Sequence, residues 1–259
     1  MPLSRRAFLL LSTVSLSSFI ILRPLAATGA GAAERLAPFL GIWTVEKRSR
    51  QPSDEDERRR RPSRFHAPPD EDMEPDDIIP GMSHGDRHVL RIMTDEGRAA
   101  FEALGAGDLP GDDDCRAPGL PRLIRLPGAQ EWRMMDGTLE IHHADYDTRR
   151  VVHLDRREPP AGTPLTEAGY ANGWFEGDLF IIRTTHLAAA PGGLARHAPA
   201  SDARVVEERY RLGGSGRVLK GEFAVTDRKF LTKPIYLHAR LDRAPAGAVL
   251  EPLPCGPRP

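Results

Sequence analysis

Hydrophobic and polar residues alternate with a period of two through most of the second half of the chain. Such alternation sends successive side chains to opposite faces of a strand. The pattern predicts strands over 41–48, 89–93, 122–126, 131–135, 138–145, 149–155, 169–175, 179–186, 203–212, 218–226 and 235–242. Turn signals punctuate them: Asp136-Gly137, Tyr146-Asp147, Gly177-Asp178 and Gly213-Gly214-Ser215-Gly216. Successive strands with short links make an antiparallel up-and-down meander. Eight or more such strands close most simply into a barrel, which leaves no exposed edge. One short helix stands out over 95–104, with Thr94 or Asp95 as its cap and Ala99, Ala100, Phe101 and Leu104 as its apolar stripe. Gly105 and Gly107 stop it. The predicted fold class is mainly β, a barrel with one short helix.

Alternation also predicts the barrel's interior. A two-residue turn at Tyr146-Asp147 sets His143 opposite Arg150, Ile141 opposite Val152 and Leu139 opposite Leu154, all on one face. Glu140 then sits across from His153 on the other face. In 203–212 the set Val206, Glu208, Tyr210 and Leu212 faces inward. Leu219, Phe223 and Val225 form a second inward set, and Ile235, Leu237, Ala239 and Leu241 a third. Leu179 to Ile182 is apolar on both faces and is expected to be buried on both. An inward Arg150 and an inward Glu208 are costly unless paired. They read either as an ion pair that fixes the barrel or as a polar floor, with His143 and Tyr210, that orients a ligand.

Composition adds an address. Arg5 and Arg6 precede sixteen uncharged residues from Ala7 to Leu22, and Ala30-Gly31-Ala32 offers a cleavage site. Ser4-Arg5-Arg6-Ala7-Phe8-Leu9 resembles the twin-arginine export motif, and the serines that dilute the apolar run fit that route. Residues 1–32 are therefore read as a signal peptide, the protein as periplasmic or secreted from a bacterium, and the export machinery as a partner. Removing Arg5, Arg6 and Arg23 leaves 33 basic residues against 37 acidic ones, a net charge of −4. That balance gives no pull toward nucleic acid or anionic membrane, and no stable membrane insertion is expected after cleavage. Export of this kind does not imply a cofactor, so the cofactor is left unassigned. Gly and Pro number 24 each, well above a usual combined share of roughly 12%, which suits a turn-rich fold.

The remaining chain divides into a first strand region (33–51), an insertion (52–88), the barrel (89–243) and a Pro-rich tail (244–259). Residues 52–77 hold ten acidic residues, five Arg and five Pro, and too little apolar surface to order themselves, so the insertion is read as disordered. Cys115 and Cys255 are read as a disulfide that closes a loop of about 140 residues and ties down the tail.

Catalytic signatures are few. His142-His143-Ala144-Asp145, with His153 and His186, suggests a metal, but neighbouring strand residues point to opposite faces, so no metal is assigned. No spacing selects a nucleophile triad or a phosphate loop. Catalytic residues are left unknown.

Several segments resemble a widespread family of exported bacterial proteins. They are Cys115-Arg116-Ala117-Pro118-Gly119-Leu120-Pro121-Arg122, Arg150-Val151-Val152-His153-Leu154-Asp155 and Gly169 through Asp178. They continue with Ile181-Ile182, Thr184-Thr185, Ser201-Asp202-Ala203, Val206, Glu208-Arg209-Tyr210, Thr226-Asp227, Lys229 and Thr232-Lys233-Pro234. Ala200, Arg228 and Ile235 depart from that family's usual His, Pro and Trp. Gly41-Ile42-Trp43 is similar to the start of lipocalin-like barrels. The resemblance implies an exported β-barrel and supplies no reaction.

The leading functional reading is a lipocalin-like barrel that binds a small apolar or amphipathic molecule through His143, Arg150, Trp174, Glu208 and Tyr210. The alternatives are an isomerase- or hydrolase-like enzyme with His143 or Glu208 as general base, and a cell-envelope interaction protein using 52–77.

Overall fold

The structure, a computed structural model, describes residues 29–45, 84–104, 115–155, 157–195 and 197–253. The described residues contain helices α1 (Gly29–Leu36), α2 (His84–Arg91) and α3 (Asp95–Glu102). The strands are β1 (Gly41–Val45), β2 (Gln130–Met135), β3 (Thr138–His143), β4 (Thr148–His153), β5 (Tyr170–Glu176), β6 (Leu179–Thr185), β7 (Ala190–Ala195), β8 (Ala198–Ala200), β9 (Arg204–Gly213), β10 (Val218–Asp227) and β11 (Ile235–Arg243). Nine of them close a barrel in the order β1-β11-β10-β9-β6-β5-β4-β3-β2, while β7 and β8 form a separate two-stranded sheet.

Closure with nine strands has a topological consequence. Neighbours that are all antiparallel require an even number of strands, so one seam must run parallel. That seam is β4–β5, joined only at Val152↔Ala171 and His153↔Asn172. Every other seam is antiparallel and has at least three paired positions. The expected pure up-and-down meander is corrected at this one place.

Hairpin chemistry accounts for much of the register. Asp136 and Gly137 both take positive φ, 47° and 80°, which matches the twist of β2 and β3. The β3–β4 link differs from its expected two-residue form. It spans Ala144 to Asp147 as a short 3-10 turn, with Tyr146 and Asp147 at φ 58° and 46°. His143 therefore pairs with Thr148 and Ile141 with Arg150, a shift of two positions. An even shift preserves the faces, so Leu139, Ile141, His143, Arg150 and Val152 still point inward together. Glu140 lies opposite Val151 rather than His153, and it accepts hydrogen bonds from Arg133 (2.9 Å) and Arg149 (3.2 Å).

Two segments expected as strands are helical. Residues 89–91 fall in α2, and Val89 and Ile92, just past its end, are buried one turn apart. Residues 122–126 form a 3-10 turn over Leu123–Arg125. The expected helix is α3, where the Thr94 hydroxyl accepts from Gly97 N at 3.1 Å. Close by, Thr94 N donates to Phe230 O at 3.0 Å and Thr232 N to Ile92 O at 2.8 Å, tying the helical pair to the β10–β11 turn. Gly97 is required there, because a Cβ would lie 2.6 Å from Phe230 O. The β7–β8 hairpin packs on α2 and α3. Together these elements lid the mouth where β6 and β10 end and β9 and β11 begin.

From the other side, Phe39 enters the interior beside Trp132, Phe175 and Phe180, with ring centroids 6.5, 5.7 and 6.0 Å away. Its carbonyl accepts from Trp43 Nε1 at 2.8 Å. The expected cleavage site Ala30-Gly31-Ala32 lies within α1, where Ala32 is buried and Leu36 belongs to the core. The twin-arginine segment, residues 52–77 and Cys255 lie outside the described residues, and α2 begins at His84, inside the stretch read as an insertion.

Candidate functional site

Four of the expected site residues come to the barrel's interior. Arg150 on β4 meets Glu208 on β9, with Nη1 3.3 Å from Oε2 and Nη2 in closer contact with Oε1. Arg150 Nη2 also reaches Thr184 Oγ1 on β6 at 3.4 Å. The Tyr210 hydroxyl donates to Glu208 Oε2 at 2.7 Å. Both Glu208 oxygens are thus engaged, and none of these side chains is more than 1% exposed. Burial opposes the Arg150 charge, but Glu208 beside it raises the guanidinium pKa above its ordinary value. Burial, then the Glu208 charge, pushes Tyr210 well above 10.

His143 lies in the same interior without a partner for Nε2. Burial, then the charge of Arg150 and the neighbouring His142, holds its pKa well below 6.5. A neutral buried imidazole gives stability that is complete above the unfolded value of 6.5 and is lost as pH falls below it toward the folded pKa. His143→Gln is therefore expected to remove one proton's worth of acid sensitivity, at most about 1.4 kcal/mol per pH unit. Urea midpoints at pH 7.5 and pH 5 for both proteins check it, and equal acid losses would refute it.

The interior around this network is packed rather than hollow. The Tyr210 ring stands edge-on to Trp132 at 4.9 Å and to Phe223 at 5.7 Å. A Cβ on Gly221 would come within 2.6 Å of Phe223, and one on Gly173 within 2.8 Å of Phe180 and Val152. Glu208 and His143 are both buried, at 0% and 3% exposure. His142 faces away from His143 and meets Asp147 at 2.5 Å. Among the described residues no three His, Cys, Asp or Glu side chains cluster as a metal site would require.

Trp174 does not join the network. Ala171, Gly173 and Phe175 face inward on β5, so Trp174 faces out, where its Nε1 donates to Glu176 Oε1 at 3.1 Å. It borders Ile181, which is buried on the outer face of β6, as its apolar surroundings led us to expect. Cys115 is engaged in a disulfide. The tail returns to the barrel, with Leu253 N donating to Ala144 O at 2.9 Å.

A pocket of about 290 Å³ lies at the lidded mouth, bordered by Leu165, Thr185, His186, Asp202, Ala203, Arg204, Val205, Thr226 and Arg228. Thr185, Val205 and Thr226 alternate with the inward Thr184, Val206 and Val225, so this pocket opens outside the barrel wall. Several segments that carried the family resemblance meet here. Ser201 N and Oγ donate to Asp227 at 2.7 and 2.5 Å, and Lys229 Nζ to Asp202 at 2.6 Å. His186 is held at φ 54°, a left-handed conformation uncommon outside glycine, while Thr166 N donates to His186 O at 3.1 Å and Thr166 O accepts from Ala188 N at 2.8 Å.

Arg204 was not singled out by the sequence reading. It is 1% exposed, its Nη2 donates to Ala188 O at 3.0 Å, and Nε and Nη1 have no partner. Burial draws its pKa down to about 10, against the opposing pull of Asp227. The signal was present: extending the inward set Val206, Glu208, Tyr210 back by two reaches Arg204.

Fold and site together define a closed nine-stranded β-barrel with a buried ion pair in its interior and a pocket of mixed polar and apolar lining at one mouth. No protein-family model, curated protein or solved structure matches the chain.

Proposed function

We propose that this is an exported barrel protein that binds a small amphipathic molecule, and that the molecule sits in the mouth pocket rather than inside the barrel. The observation that carries this reading is the pocket itself. Its volume of about 290 Å³ suits a small ligand, and it sets Leu165 and Val205 beside the hydroxyls of Thr185 and Thr226. The packed interior supports the same choice, because a ligand there would have to displace aromatic rings. The disulfide at Cys115 fits an oxidising compartment, and the reading of 1–32 as an export signal agrees with it.

The test uses protein purified from a bacterial periplasm and N-phenyl-1-naphthylamine, a neutral fluorescent amphiphile. Saturable binding is expected, weakened about tenfold or more by Thr226→Trp, which fills the exposed side of the pocket. Undetectable binding would overturn the proposal. Binding indifferent to Thr226→Trp would return the ligand to another part of the barrel.

A further inference from the structure

Arg204 is a buried cation whose charge is poorly answered. A guanidinium carries five N–H donors, and Arg204 directs one of them to Ala188 O. No carboxylate stands at ion-pair distance from it among the described residues. Its register partner Asp227 contributes an attractive field. Yet Asp227 already accepts from Ser201 N, Ser201 Oγ, Lys229 N (3.3 Å) and Phe230 N (3.1 Å). Asp202, the carboxylate that borders the pocket, is held by Lys229. Arg228, exposed on the same pocket, makes no ion pair among the described residues. Burying a charge without a partner opposes folding. Arginine is also the side chain whose planar fork matches a carboxylate or a phosphate.

We propose that the ligand of the mouth pocket carries a carboxylate or phosphate group, received by Arg228 at the pocket's exposed side and by Arg204 at its inner side. This rests on the reading of the pocket as a ligand site. Gly193 covers Nη1 so closely that a Cβ would lie 2.9 Å from it. Arg204 faces inward on β9, beneath the β7–β8 hairpin that carries Gly193, so its guanidinium must turn from the hairpin toward the pocket to meet the anion. On this account Arg204 is kept for binding at some expense to stability.

Calorimetric titration of wild type, Arg228→Gln and Arg204→Met with hexanoate, hexyl phosphate, hexanol and hexylamine tests the proposal. Both anions are expected to bind about tenfold or more tighter than hexanol, with hexylamine weakest. The tighter of the two anions assigns the headgroup. Arg228→Gln should weaken the anions and flatten their salt dependence. Arg204→Met should bring the anions down to the affinity of hexanol while leaving the urea midpoint unchanged or raised. Anions that bind no better than hexanol overturn the inference and leave the pocket reading standing. Failure of all four probes overturns both. A lowered midpoint or loss of folding in Arg204→Met shows the residue to be structural and overturns its assigned role.

Discussion

Glu208→Ala is expected to destabilise the barrel by about 3–5 kcal/mol, the cost of leaving one member of a buried ion pair alone. Two groups depend on Glu208. Arg150 loses its counter-charge, Tyr210 loses the acceptor of its 2.7 Å hydrogen bond, and Arg150 Nε already has no partner. Neither group can turn to solvent, since both are at most 1% exposed. The double change Arg150→Met with Glu208→Leu removes both charges and should recover most of the loss, because apolar replacement of a whole buried pair is often neutral or better. Urea denaturation of the three proteins provides the comparison. A single-variant loss under about 1 kcal/mol would mean that water reaches the pair and that the barrel is less tightly packed than described.

Trp132→Ala carries the second large effect, about 3–5 kcal/mol for deleting a buried aromatic. Trp132 is 1% exposed and stands at the centre of the ring cluster, with Phe39, Phe180 and Tyr210 around it and Gln130 Oε1 accepting from Nε1 at 3.1 Å. Its removal leaves a cavity bordered by aromatic rings on three sides and orphans the Gln130 amide oxygen. Two measurements check this: the urea midpoint, and binding of benzene to the variant but not to wild type. Benzene binding to wild type would reveal a void in the interior and reopen the case for a ligand there.

Much of the barrel was legible because alternation is a physical signal that a half-buried strand cannot avoid. In β9 the inward set Val206, Glu208 and Tyr210 is buried at 0, 0 and 1% exposure, and its neighbours are not. The hairpin at Tyr146-Asp147 was misjudged in length but not in parity, so Arg150 still reached the interior. What failed was the reading of short apolar runs. Val89 to Met93 suits a strand or a helix equally by composition, and the packing of α2 against β7 and β8 decided it. Strands β7 and β8, Ala-Pro-Gly-Gly-Leu-Ala and Ala-Pro-Ala, carry almost no β propensity and are formed by their surroundings. The parallel seam follows from a count of strands that no local pattern reveals.

Sequence served the candidate site less well. His143, Arg150, Glu208 and Tyr210 did converge, but on a closed core. The pocket is assembled from loops distant in the chain, at Leu165, His186, Asp202 and Arg228. Trp174 was drawn in by its place in a motif, while its parity on β5 set it outside.

The β4–β5 seam gives the interior ion pair a different meaning. A barrel parts first where its staves share the fewest backbone bonds, and here that joint has two paired positions. Arg150 stands on one side of the joint, and Thr184 and Glu208 on the other. The pair acts as a rivet through the inside of the wall, opposing local opening where the hydrogen-bond ladder is thinnest.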